Sequence, residues 1–189
     1  MAPYAGQTII VTGSNVGLGL EAARHFVRLG AQKVIIAVRN KDKGETAAQS
    51  IHESTGRAGV AEVWELDLRS YASVKSFAER ASGLERLDVV VNNAGILTKK
   101  FEMAEDNEST ITVNVVSAAF LSLLLLPKLR ETSVRLRREV VLTFTGSFVH
   151  FMTDFPEQKN ERILNGLAVQ RDADMANRSA YILSIRIIC

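Results

Sequence analysis

The sequence predicts an α/β fold: a doubly wound parallel sheet with helices on both faces. Three observations carry this expectation. Short apolar runs rich in β-branched residues alternate with stretches whose apolar residues recur at three and four positions. A glycine-rich turn, "TGSNVGLG", directly follows the first of those runs. The other chemically marked residues fall at the ends of later runs, which are the carboxyl ends of strands in a parallel sheet.

The elements follow in order. "TIIVTG" (Thr8 to Gly13) reads as a buried strand broken by Gly13. Residues Gly17 to Leu29 predict a helix, because Ala22 and Phe26, then Ala23 and Val27, lie four apart on one stripe, and Gly30 supplies a stop. "KVIIAVR" (Lys33 to Arg39) is a second buried strand. A polar helical segment follows over Lys43 to Ser54, and "GRAG" turns the chain. "AEVWELDL" is the third strand. Ser73 to Ala81 is the next helix, with Val74, Phe77, Ala78 and Ala81 on one face. "LDVVVNNAG" (Leu87 to Gly95) is the fourth strand, Glu108 to Leu129 a long helix, and "EVVLTFTGS" (Glu139 to Ser147) the fifth strand. Right-handed crossovers give the strand order 3-2-1-4-5. The order reverses between strands one and four, and ligands bind at the carboxyl ends there.

Bulk properties narrow the function. A chain of 189 residues, 47% hydrophobic and 23% charged, suits a single domain over 1–189 with a sizeable core. A net charge of +2 offers no footprint for nucleic acid or an acidic membrane surface. The single cysteine, Cys189, excludes an internal disulfide framework and fits a reducing compartment. "MAPYAGQTIIVTG" lacks the basic start and long apolar stretch of a signal peptide. The longest apolar run, "AAFLSLLLLP" (Ala118 to Pro127), is far short of the roughly 20 residues of a membrane span and reads as a buried helix face. The expectation is a soluble, cytoplasmic protein. Three histidines and one cysteine make no metal spacing, His150 reads as structural or solvent-facing, and "RLRR" (Arg135 to Arg138) as a solvated turn.

The glycine turn is the first site. Gly13, Gly17 and Gly19 have the spacing G-x-x-x-G-x-G. Gly13 allows a tight turn off the strand, Gly17 lets the backbone approach a pyrophosphate, and Gly19 lets the helix pack close to the sheet. Ser14, Asn15 and Leu18 complete the same cradle. The helix N-terminus then presents free N–H groups and a positive dipole end to phosphates. A P-loop is excluded, since no G-K-[ST] follows. At the end of the second strand, where an acid would hydrogen-bond the ribose of NAD, the sequence reads "AVRN", with Val38 and Arg39. A guanidinium fork suits a 2′-phosphate instead, which points to NADP (NADPH).

With these segments in view the sequence resembles the short-chain dehydrogenase/reductase family. The matching stretches are "TGSNVGLG", "DL" at Asp67–Leu68, "NNAG" at Asn92 to Gly95, "VN" at Val113–Asn114 and "TGSFVH" at Thr145 to His150. Their order and register agree from about residue 7 to residue 150. "AVRN" and "SFVH" are closest to the retinol-dehydrogenase-like group, including reductases of fungal secondary metabolism. The resemblance implies a Rossmann fold, with Asp67 and Leu68 flanking the adenine. It has Asn93, Ala94 and Gly95 lining the cofactor and steadying the sheet. Asn114 would hold a water in a proton relay, Ser147 would hydrogen-bond the substrate carbonyl, and Tyr181 would be the general acid or base. It also allows a homodimer through the long helix.

The sequence departs from the family pattern after Ser147. A tyrosine pKa near 10 is usually lowered by a lysine at i+4, on the same helix face. Here that residue is Ile185, and Arg186 lies about 100° further round. His150 to Ala180 reads as a long substrate-side insertion. Family members also continue beyond the point where this chain stops, so the expectation is a fold short of its C-terminal strands. The leading functional expectation is an NADP-dependent oxidoreductase interconverting a small-molecule carbonyl and alcohol, with negligible turnover as the chain stands. A non-catalytic nucleotide-binding or interaction protein, or an inactive shortened product, is the alternative.

Overall fold

The structure is a computed structural model describing residues 2–98 and 100–146, together with Lys159, Glu161 and Ile163. The chain folds in the order β1 (Thr8–Thr12), α1 (Gly17–Arg28), β2 (Lys33–Val38), α2 (Lys41–Thr55), β3 (Ala61–Glu65), α3 (Tyr71–Ser82) and β4 (Val89–Asn92). A two-strand hairpin, β5 (Met103–Ala104) and β6 (Asn107–Glu108), leads into a long helix, α4 (Ser109–Leu136), and then β7 (Val141–Phe144). The main sheet is parallel in the order β3-β2-β1-β4-β7. β7 is the strand expected as fifth, so the predicted order and reversal point hold.

Period-two alternation explains why both faces are covered. Ile10, Ile35 and Val90 point to one side, where they pack with Val74, Phe77, Leu121 and Leu125 of α3 and α4. Ile9, Val11, Val34, Ile36 and Val89 point to the other, against Ala23 and Val27 of α1 and Ile51 of α2. Each fully buried aliphatic side chain contributes about 1.5–3 kcal/mol, so the two layers together fix the sheet. At its amino-terminal end the buried Asp88 carboxylate accepts from the Thr8 backbone N–H at 2.9 Å and from Arg86 Nε at 2.8 Å, tying β1 to the start of β4.

Local signals set the helix ends. The Asn40 side chain accepts from the Lys43 N–H to cap α2, which stops at Gly56 with φ +69°. Ser70 caps α3 in the same way through Ser73. Helix α4 corrects the sequence reading twice. It runs on to Leu136 through Pro127, and it contains a π-helical turn at Thr112–Val116. Pro127 lies within the helix and has no N–H to donate. The carbonyl deprived of a donor is that of Leu123, whose side chain is on the exposed face. By length and composition α4 is able to cross a membrane, with a mean hydropathy of 2.0 over its most apolar window. Leu121 and Leu125 of the apolar run, and Leu129 beyond it, are nonetheless buried in the core, whereas Leu123 and Leu124 of the same run are exposed, so the run is a buried face only in part.

The expected third, fourth and fifth strands were too long. Leu66 to Leu68 and Asn93 to Gly95 lie outside the strands, as irregular backbone past the carboxyl end of the sheet. Among the described residues β7 pairs only with β4, and its outer positions are partly exposed.

Candidate nucleotide site

A cleft of about 340 Å³ opens over the carboxyl ends of β1 to β4, at the predicted reversal of strand order. Its floor is the glycine turn, through Gly13, Asn15 and Val16. One wall is the end of β2 (Ala37, Val38, Arg39) and the turn after β3 (Leu66, Asp67, Leu68, Arg69). The other is the exit of β4 (Asn93 to Ile96), closed from behind by Val113 of α4.

Close packing holds the floor in place. Gly13 has φ +65°, and a Cβ there would lie 2.7 Å from Ala94 Cα. Its N–H donates to the Ala37 carbonyl at 2.8 Å, fastening the turn to β2. A Cβ on Gly19 would lie 2.4 Å from Asn93 Nδ2 and 2.7 Å from the Gly13 carbonyl. Gly19 is therefore required by the approach of α1 to the β4 exit. Gly17 differs: its φ is +58°, and nothing would meet a Cβ within 4 Å. Its backbone faces open space at the start of α1, whose N-cap residue, Val16, offers no side-chain cap. Uncapped N–H groups at a helix start are an anion cradle once a second feature directs a ligand there, and the cleft does so.

The β4 exit is clamped from both sides. Asn93 Nδ2 donates to the Thr12 carbonyl at 3.0 Å and the Gly13 carbonyl at 3.3 Å. The backbone N–H groups of Asn93 and Ala94 both donate to Thr12 Oγ1. Asn114 sits in the π-helical turn, where its Oδ1 accepts from the Ile96 N–H and its Nδ2 donates to the Ile96 carbonyl, both at 2.8 Å. Its amide thus braces the segment after Gly95, a role the motif alone did not reveal.

The charges are few. Arg39 is exposed at the cleft, and among the described residues no carboxylate pairs with it. Asp67 Oδ1 accepts from the Arg69 N–H at 2.9 Å, which shapes the turn after β3. Arg69 in turn pairs with Glu102 at 3.3 Å. Hydrogen bonds from Lys100 and then Arg69 hold the Glu102 carboxyl below the usual carboxylate range.

The predicted residues thus divide. Gly13, Asn15, Arg39, Asp67, Leu68, Asn93, Ala94 and Gly95 come together on the cleft. Ser14 does not reach it with its side chain: it is fully buried and its hydroxyl donates to the Val11 carbonyl at 2.7 Å. Leu18 is exposed on α1, outside the lining, and Gly17 and Gly19 act through backbone access and packing. Ser147 and Tyr181 lie outside the described residues, as do His150, Ile185, Arg186 and Cys189. Arg69, Ile96 and Val113 were not foreseen as lining. Only the position of Arg69, two residues beyond Asp67, could have suggested it. No cluster of metal-binding side chains occurs among the described residues.

Comparison with known proteins agrees with this geometry. The family model described as short chain dehydrogenase matches residues 7–135. The short chain dehydrogenase atnD of Emericella nidulans is 50% identical over 93% of the chain and 58% of its own length. The short chain dehydrogenase/reductase dmxR8 of Cryptosporiopsis sp. is 51% identical over 82% of the chain and 48% of its own length. The chain therefore spans about half the length of the curated relatives it matches. Among solved structures, a short chain dehydrogenase from Escherichia coli CFT073 superposes with a TM-score of 0.67 at 29% identity, over 96% of this chain and 70% of the other. A structure from the same organism complexed with NADPH gives 0.64, at 29% identity, over 96% and 69%.

Proposed function

The chain belongs to the short chain dehydrogenase family, and from that premise we propose that it is an NADP(H)-using oxidoreductase that interconverts a small-molecule carbonyl and alcohol in fungal secondary metabolism. The observation that carries the cofactor choice is Arg39: an exposed guanidinium on the cleft, paired with no carboxylate among the described residues, at the end of the strand where an acid would select NAD. Relatives from fungi support the setting, and the E. coli structure complexed with NADPH supports the cofactor.

The residues present fit such a group. Open space over Gly17 and the uncapped start of α1 suit a pyrophosphate. Arg39 suits a 2′-phosphate, and the apolar wall of Val38, Leu66 and Leu68 suits an adenine face. When bound, the nicotinamide cofactor supplies or accepts the hydride. What this chain contributes is placement. Asn93 fixes the glycine turn, Asn114 fixes the backbone after Gly95, and the close packing of Gly13 on Ala94 fixes the floor. Ser147 and Tyr181 are assigned by the same proposal to the substrate carbonyl and the transferred proton. A cytoplasmic location, consistent with the single cysteine, belongs to it too.

A second reading has one observation in its favour. The residue four positions after Tyr181 is Ile185, where the family pattern has a lysine. That reading is a nucleotide-binding chain without turnover. Titration with NADPH, followed by assays on simple ketones and aldehydes, separates the two. Binding with turnover supports the oxidoreductase, binding without turnover supports the second reading, and absence of binding removes both.

A further inference from the structure

Two carboxylates beside the small hairpin grip the turn that forms the adenine-side wall. That turn runs from Leu66 to Tyr71, between β3 and α3. Arg69 lines the cleft, and its Nη1 and Nη2 both donate to Glu102 Oε2, at 3.3 and 3.4 Å. Immediately after β5, in the hairpin turn, Glu105 Oε1 accepts from the Tyr71 backbone N–H at 2.7 Å. Tyr71 is the first residue of α3, so the carboxylate sits at the positive end of the helix dipole. Glu105 holds φ +52°, a conformation disfavoured for any residue with a Cβ, and does so while reaching that N–H.

The hairpin is itself fastened to the long helix. Thr112 Oγ1 donates to the Ala104 carbonyl at 2.6 Å, and the Ser109 N–H donates to the Glu102 carbonyl at 2.7 Å. A continuous set of contacts therefore runs from the π-helical turn of α4, through the hairpin, to the turn after β3. None of the glycine-turn residues takes part in it.

We propose that Glu102 and Glu105 are positioning residues for the adenosine half of the nucleotide, acting through Arg69 and Tyr71 as a clasp on the β3–α3 turn. This rests on the nucleotide reading above. Arginine carries large rotamer freedom, and turns and helix starts open more readily than the sheet beside them. Fixing both before the ligand arrives lowers the ordering cost of binding. The Lys100 ammonium shares the same carboxylate, 2.8 Å from Glu102 Oε1, and keeps it ionised.

The test compares the wild-type chain with Glu102→Ala, Glu105→Ala and the double variant, each substitution removing a side-chain acceptor. The first measurement is backbone amide exchange without ligand. The clasp predicts faster exchange at Arg69 to Tyr71 in the double variant, with β1 and β4 unchanged. The second is affinity for NADPH, for adenosine 2′,5′-bisphosphate and for nicotinamide mononucleotide. Each single variant should weaken the first two ligands about two- to fivefold, and the double variant about tenfold, on the scale of exposed ion pairs. Nicotinamide mononucleotide should be unaffected, which a general loss of fold would not spare. Unchanged exchange at Tyr71 overturns the clasp, as does equal or tighter binding of the adenosine ligands. A proportional loss for the mononucleotide overturns the positioning role. If the wild-type chain binds neither adenosine ligand, the nucleotide reading fails and the positioning role with it, while amide exchange still decides whether the clasp exists.

Discussion

Gly17 and Gly19 make opposite forecasts for the same substitution. A Cβ on Gly19 would stand 2.4 Å from Asn93 Nδ2, 2.7 Å from the Gly13 carbonyl and 3.1 Å from Ser14 Cα. Two of those neighbours are backbone, so the methyl must push α1 away or displace the Asn93 amide. Overpacking of that kind costs about 1–3 kcal/mol. Loss of the Asn93 bonds to the Thr12 and Gly13 carbonyls adds about 0.5–1.5 kcal/mol each. The gain from alanine in a helix offsets about 1 kcal/mol. Gly19→Ala is thus expected to lose about 3 kcal/mol of stability. Gly17→Ala meets nothing, and pays only the left-handed backbone cost of about 1–2 kcal/mol. Its methyl instead occupies the space where a pyrophosphate approaches, so it should weaken NADPH binding more than stability. Urea unfolding followed through the single tryptophan, the buried Trp64, reads the first quantity, and NADPH titration of the folded variants reads the second. Gly19→Ala as stable as wild type, or Gly17→Ala with wild-type affinity for NADPH, would refute the reasoning.

Arg39→Ala should cost about 1–3 kcal/mol of NADPH affinity, the scale of a charge-assisted contact, and leave NADH affinity unchanged; calorimetric titration of both cofactors checks it. Asp88→Ala removes the acceptor of Thr8 and the partner of the part-buried Arg86, and should destabilise the fold by about 3–5 kcal/mol in chemical denaturation without touching the cleft. The Glu102 carboxyl should titrate below its ordinary value of 4.5. Its ion pairs are then complete above that pH and are lost only as pH falls through the lower folded value. Carboxyl-resolved NMR titration should find the midpoint raised more by Lys100→Gln than by Arg69→Gln, and a wild-type midpoint at or above 4.5 would contradict it.

The parallel sheet was legible because β1 and β2 are buried on both faces, and such strands must read as continuous β-branched runs. The cleft was legible because its position follows from strand order. The ends of β3 and β4 were not. Leu66, Leu68 and Ala94 are apolar because they wall the cleft, and a sequence cannot distinguish that burial from burial in a strand. The β5–β6 hairpin carries no glycine, and its turn depends on Glu105 holding a positive φ that propensity argues against. Ser14 was read as part of the cradle from its place in the motif. Only the fold shows its hydroxyl turned back to Val11. The structural role of Asn114 likewise needs the π-helical turn, which no local pattern announces.

Selection of a 2′-phosphorylated dinucleotide by this cleft is proposed to rest on Arg39. Equilibrium titration of the wild-type chain with NADPH and NADH, side by side at one ionic strength, tests it most directly. Saturable binding of both is expected, with NADPH tighter by about tenfold or more, the equivalent of about 1.4 kcal/mol. Equal affinity for the two cofactors, or tighter binding of NADH, would contradict it.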